Sequence, residues 1–152
     1  MKREIKFVKV TNGIPVIKFF TKNSSKERYA ILDTGSEISM FDNNFVKSAK
    51  KEFNIKITEH KINMIGVGAD SNVPIVNCAG KVRLKCEEGK DYSLEFDNAM
   101  VFALDKLSNH ITNEKGKQIT VSAIFGNDLL NTIKAKIDYE NRMLVINPVQ
   151  DE

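Results

Sequence analysis

Ala30-Ile31-Leu32-Asp33-Thr34-Gly35-Ser36 is the stretch on which the reading of this 152-residue chain turns. A short apolar run, predicted as a strand over Arg28 to Leu32, ends abruptly in a carboxylate, a hydroxyl, a glycine and a second hydroxyl. At average composition an Asp-Thr-Gly triplet arises by chance in roughly 3% of chains of this length, so its surroundings must carry the reading. The preceding strand would hold the aspartate rigidly. Glycine two residues on allows close backbone approach and leaves an N–H free to meet a carboxylate.

Two further segments fit around this one. Far along the chain stands Ala123-Ile124-Phe125-Gly126-Asn127-Asp128-Leu129-Leu130, two large apolar residues, a glycine and the start of a helix. Between them lies Asn63-Met64-Ile65-Gly66-Val67-Gly68, a glycine-rich interruption of strand character. In this order and spacing the three resemble the active-site loop, the supporting segment behind it and the substrate-covering flap of retropepsin-like aspartic proteases. The resemblance covers roughly residues 14–146. It is to retroviral proteases and, in the short Gly66-Val67-Gly68 flap and the Lys136-Ile137-Asp138 to Ile146 ending, still more to their cellular relatives.

The resemblance implies an all-β, acid-protease barrel with two short helices and one lobe per chain, as a single domain spanning residues 1–152. It implies Asp33, Thr34, Gly35 and Ser36 as the catalytic loop, with Thr34 able to hydrogen-bond across to a partner chain. Ile65, Gly66, Val67 and Gly68 would bind substrate, and Ile124, Phe125 and Gly126 would support the loop. This route to peptide hydrolysis needs two facing carboxylates sharing one proton, one acting as general base on water and the other as general acid. The chain has one Asp-Thr-Gly and is too short for two lobes, so the second aspartate is expected from a symmetric homodimer. The Ser36 hydroxyl is expected to donate to the Asp33 carboxylate. Two departures stand out: Asn127 occupies the place of an arginine that braces viral dimers, and residues 104–120 form a longer stretch that would cover part of the cleft. Two other readings stay open, an inactive module of the same fold that binds extended peptides or a protein partner, and a β-barrel that binds a small ligand.

Strand periodicity dominates elsewhere. Phe7 to Val10 and Ile14 to Phe20 flank Asn12-Gly13, which predicts a type I′ hairpin with Pro15 tolerated near the second strand's start. A helix is predicted over Asn43 to Phe53, with Phe45, Val46, Ala49 and Phe53 on one face and Asp42 or Asn43 as its cap. Strands follow over Ile55 to Ile65, Val73 to Cys86 and Tyr92 to Phe102, the last two joined by Glu88-Gly89-Lys90. A helical turn and loop are expected within Leu104 to Thr120, then an apolar segment over Val121 to Phe125 and a helix over Asn127 to Ile133. Strands over Ala135 to Tyr139 and Met143 to Ile146 end the pattern.

Composition narrows the function classes. A net charge of +3 is spread along the chain. Its densest group, Lys47, Lys50 and Lys51, lacks interleaved aromatics, so nucleic-acid binding is not expected. No apolar run is long enough to span a bilayer, and the basic start from Met1 to Lys6 precedes no continuous apolar stretch, so neither membrane insertion nor secretion is expected. Cys78 and Cys86, separated along one strand by roughly 26 Å, cannot form a bond that needs Cα atoms within about 7 Å. Buried free thiols fit a reducing, cytoplasmic setting. His60 and His110 are isolated, and no pair with the cysteines has zinc-ligand spacing, so no metal or cofactor is expected. Asp128 reads as a first-turn residue favoured by the helix dipole.

Overall fold

The computed structural model describes residues 3–53, 58–63, 72–108 and 111–146. Among these residues ten strands and three short helices run in the order β1 (Arg3–Lys6), β2 (Val16–Phe19), β3 (Arg28–Leu32), β4 (Met40–Asp42), α1 (Asn43–Phe53), β5 (Thr58–Asn63), β6 (Asn72–Lys85), β7 (Asp91–Phe102), α2 (Asp105–Ser108), β8 (Val121–Phe125), α3 (Asn127–Thr132), β9 (Lys136–Asp138) and β10 (Met143–Ile146). The fold is all-β in class. A seven-stranded sheet of order β2-β3-β8-β4-β7-β6-β5 carries most of the chain, and β1-β10-β9 form a second, three-stranded sheet. The predicted α1, β3 and β10 have their expected bounds.

Local chemistry accounts for these elements. Asp42 is the N-cap of α1: its Oδ2 accepts from the N–H groups of Asn44 and Phe45 at 3.1 and 3.2 Å. Phe45, Val46 and Ala49 bury one face of that helix, while the side chain of Phe53 lies outside the described residues. The β6–β7 turn closes through Gly89 at φ +88°, a conformation that favours glycine. Its N–H donates to the Cys86 carbonyl at 3.0 Å.

The hairpin between Phe7 and Phe20 departs from expectation. Phe7–Val10 is not a strand; β1 lies earlier and pairs with β10, with Arg3 opposite Ile146 and Lys6 opposite Met143. Only Gly13 of the Asn12-Gly13 pair has positive φ, so the turn is not type I′, which needs both. The Gly13 N–H instead donates to the Val10 carbonyl at 3.2 Å, placing Thr11 and Asn12 at the turn's centre. Residues 111–119 dock on this turn, through a Val10–Asn113 bridge and a 2.8 Å bond between the Thr11 and Thr112 hydroxyls. Ile111, Ile119 and Val121 pack there against Val8, Val10 and Ile14.

The principal core runs from Ile5 to Ile146 in sequence. At its centre Phe41 stacks on Phe96 with ring centroids 4.4 Å apart, and Phe19 meets Phe45 edge-on at 5.4 Å. Phe125 leans on Phe19 at 5.7 Å, so the strand end behind Asp33 is anchored in this aromatic cluster. Cys78 and Cys86 are free and buried. Burial pushes the Cys78 thiol up to about 12 and raises that of Cys86 as well.

Two consequences can be measured. Asp42 is buried, and its Oδ1 also accepts the Leu104 N–H at 2.8 Å, tying α1 to the segment after β7. Asp42→Ala removes a cap and orphans a buried donor, an expected loss of about 2–4 kcal/mol in urea denaturation, with Asp42→Asn intermediate. The raised Cys78 value acts in one direction. Below pH 9 the thiol is neutral in both states and costs nothing. Above it the unfolded chain ionises first, and stability falls until the folded thiol titrates near 12. The stability difference between wild type and Cys78→Ala should therefore shrink from pH 8.5 towards 10.5, by up to about 1.4 kcal/mol per pH unit above pH 9.

Candidate active-site loop

The residues between β3 and β4 form an exposed loop held almost wholly by the chain's later half. Its first anchor is the sheet itself. β3 and β8 run parallel, with Ile31 opposite Ile124 and Leu32 opposite Phe125. The ladder continues one step beyond the strand, where the Asp33 N–H donates to the Phe125 carbonyl at 3.0 Å. Where β8 ends and α3 begins, the bonds reverse direction. The Asn127 N–H donates to the Ser36 carbonyl at 2.8 Å, and the Asp128 N–H to the Glu37 carbonyl at 3.2 Å.

Within the loop the Asp33 side chain is exposed, with Oδ1 accepting the Gly35 N–H at 2.9 Å. The bond fixes the orientation of the carboxylate. A Cβ on Gly35 would stand 3.1 Å from that same oxygen, so a side chain there would crowd the group the backbone is positioning. The Ser36 N–H closes the turn onto the Asp33 carbonyl at 3.2 Å. The Ser36 hydroxyl, expected on the Asp33 carboxylate, donates instead to the Ile38 carbonyl at 2.7 Å. A hydroxyl has one proton, and this nearby backbone acceptor takes it.

Gly126 explains how closely the two segments approach. A Cβ there would lie 2.6 Å from the Ser36 carbonyl oxygen and 2.9 Å from that of Ile38. The constraint is contact with backbone, since its φ of −92° is open to any residue. Ile124 and Phe125, on either side of the ladder's last steps, are buried.

Polar side chains complete the brace. Ser39, fully buried, accepts the Gly126 N–H on Oγ at 2.8 Å and donates to Asp128 Oδ1 at 2.5 Å. Asp128 Oδ2 accepts the Ser39 N–H at 3.1 Å, while Oδ1 also takes the Leu129 N–H of its own helix at 2.7 Å. The carboxylate thus sits at the helix start, as its position in the sequence suggests, but its additional partner is the far end of the Asp33 loop. Asn127 reaches back as well, its Nδ2 donating to the Thr34 carbonyl at 2.6 Å. Sequence reading missed Ser39 and the loop-facing role of Asp128. A lone polar residue between Ile38 and Met40 was the available signal.

The structure therefore brings Asp33, Thr34, Gly35 and Ser36 together with Ile124, Phe125 and Gly126. The candidate flap residues Ile65, Gly66, Val67 and Gly68 lie outside the described residues. The strands leading to and from them are antiparallel neighbours, with Asn63 opposite Asn72. The described contacts of residues 111–119 are with the Val10–Gly13 turn and its surroundings, not with the Asp33 loop. Among the described residues no group of three or more histidine, cysteine or acidic side chains is placed to hold a metal ion. Likewise, no described helix is long and apolar enough to cross a membrane.

No protein-family model matches the chain, and no curated protein matches it in sequence. Solved structures do. The retroviral protease-like domain of Ddi1 from Leishmania major is 14% identical, with a TM-score of 0.49 and 90% of each chain covered. A retropepsin-like aspartic protease from Rickettsia conorii is 16% identical, with a TM-score of 0.45, covering 96% of this chain and 91% of the other.

The brace yields a direct test. Ser39→Ala removes a buried hydroxyl that links Gly126 to Asp128, leaving an N–H unsatisfied. A loss of about 1–3 kcal/mol is expected, seen as a lower melting temperature. Amide resonances of Asp33 and Gly35 should shift more than those of the distant β6–β7 turn.

Proposed function

We propose that this chain is a retropepsin-like aspartic endopeptidase, active as a homodimer in which Asp33 of each chain contributes one carboxylate. The observation that carries this reading is the Asp33-Thr34-Gly35 loop, its aspartate exposed, oriented by the Gly35 N–H and held by a parallel strand and a following helix. A peptidase of this kind needs a carboxylate kept at fixed geometry yet open to substrate, and to a second carboxylate. When two such groups stand about 3 Å apart, as in aspartic proteases, they share one proton. The ionised one draws a proton from water as the oxygen attacks the peptide carbonyl, and the protonated one donates to the carbonyl oxygen. The tetrahedral intermediate stays free of covalent attachment, and collapse with protonation of the amine releases two peptides.

In this reading Ser36 supports the loop through Ile38, and Ile65 to Gly68 cover the bound peptide. The chain is a single domain acting on peptide or protein substrates without cofactor, metal, nucleic acid or membrane. Its two buried free thiols fit a reducing compartment such as the cytoplasm.

A second reading has one observation in its favour. Asn127 spends its amide on the Thr34 carbonyl of its own chain, which ties the loop internally and offers no charged link to a partner. An inactive module that binds extended peptides fits that arrangement. Cleavage of an unfolded protein mixture from about pH 3 to 7 separates the two readings, with mass measured in solution at the same concentration. The peptidase reading expects wild-type cleavage with a pH optimum in the acidic range and its loss in Asp33→Asn. A folded, dimeric wild type that cuts nothing across that range would establish the binding module instead.

A further inference from the structure

Away from the Asp33 loop, a cavity of about 740 Å³ opens between β1 and its continuation, the β2–β3 pair, the β6–β7 turn and the segment from Asn113 to Ile119. None of residues 33–38 or 124–128 lines it. Its volume falls within the range of sites that hold small ligands, about 300–1,000 Å³. Phe7 and Ile119, nearly inaccessible to water, form its floor, and Val8 and Phe20, both partly exposed, are apolar residues of its open lining.

The charged part of the lining is unbalanced, five lysines against three glutamates. Two of the lysines are neutralised within the wall. Lys18 lies 3.2 Å from Glu27, and Lys6 lies 3.7 Å from Glu87. The Tyr29 phenol donates to the other Glu27 oxygen at 2.9 Å, and this bond, with Lys18 and the weaker charge interaction of Lys85, holds that carboxyl below its ordinary range. Lys9, Lys85 and Lys115 have no carboxylate within ion-pair distance among the described residues, and Glu114 is the one lining glutamate without a partner. Three lysines without a close carboxylate thus line one concavity, a charge pattern that favours a bound anion. A compact ammonium takes either a carboxylate or a phosphate oxygen without demanding a planar fork.

We propose that this cavity binds an amphiphilic anion, with an apolar chain on Val8 and Phe20 and a carboxylate or phosphate head among Lys9, Lys85 and Lys115. The site is independent of the peptidase reading, since it shares no residue with the Asp33 loop.

The test is a nuclear magnetic resonance titration of the full chain with decanoate, decyl phosphate and decanol, each below its aggregation limit. Both anions should shift the amides of Phe7, Lys85 and Ile119 and leave those of Asp33 and Gly35 in place. Decanol should bind at least about tenfold more weakly, a difference of about 1.4 kcal/mol or more. The triple variant Lys9→Gln, Lys85→Gln, Lys115→Gln should lose at least that factor for the anions and keep its affinity for decanol. Unchanged dispersion of the amide spectrum would show that the variant still folds. Whichever anion binds more tightly identifies the head group. Equal binding of decanol and decanoate, anion binding undiminished in the triple variant, or shifts centred elsewhere would each overturn the site.

Discussion

Parallel pairing of β3 with β8 is the constraint on which the rest of this molecule depends. Strands that run side by side in one direction cannot be joined by a tight turn, so everything from β4 to the end of residues 111–120 forms the connection between them. β4 fills the remaining side of β8, running antiparallel to it and parallel to β7. The consequence is local as well as global. Both β3 and β8 end at the same level, so the loop after one and the helix after the other emerge together. Their backbones then satisfy each other: Asp33 N–H to Phe125, Asn127 N–H to Ser36 and Asp128 N–H to Glu37. Gly126 is the place where this convergence is tightest, because carbonyl oxygens occupy the space a side chain would need.

Behind the loop the aromatic cluster provides stiffness of another kind. Phe125 belongs both to the ladder that ends at Asp33 and to the group formed by Phe19, Phe41, Phe45 and Phe96. Its backbone carbonyl faces the loop while its ring is locked in the core. Ser39, buried, and Asp128, exposed, do similar work at the loop's other end with polar groups, each hydroxyl and carboxylate oxygen having a donor or acceptor to meet. One side of the candidate site is thus held by packing and the other by hydrogen bonds.

How much of this was legible in the sequence follows from which forces are local. The apolar stripe and Asp42 cap of α1 announce that helix, and the β-branched and apolar residues that end β3 announce a strand. The Asp33-Thr34-Gly35 turn reads as a site because its residue types are unusual at a strand end. The partner of β1 was not legible, because pairing with β10 is decided at the opposite end of the chain. β4, three residues long, is too short to show a period. The Asn12-Gly13 turn adopted another geometry where the residues that follow β1 are also engaged with residues 111–119. Ser36 shows the same limit at atomic scale: which acceptor its proton finds depends on the Ile38 carbonyl, whose placement sequence alone does not reveal.

The separation between the two halves of the loop has a temporal side. Thr34 and Asn127, joined by a 2.6 Å hydrogen bond, stand 93 residues apart in the chain. On a ribosome adding about 5–20 residues per second, Asp33 waits several seconds before Phe125 and Gly126 have been made. Closing so long a segment is among the slower events in folding. During that interval the nascent chain carries the aspartate without the carbonyl, the amides or the glycine contact that give it a direction. The loop's geometry therefore arrives only after the segment from Phe125 to Asp128 has been made.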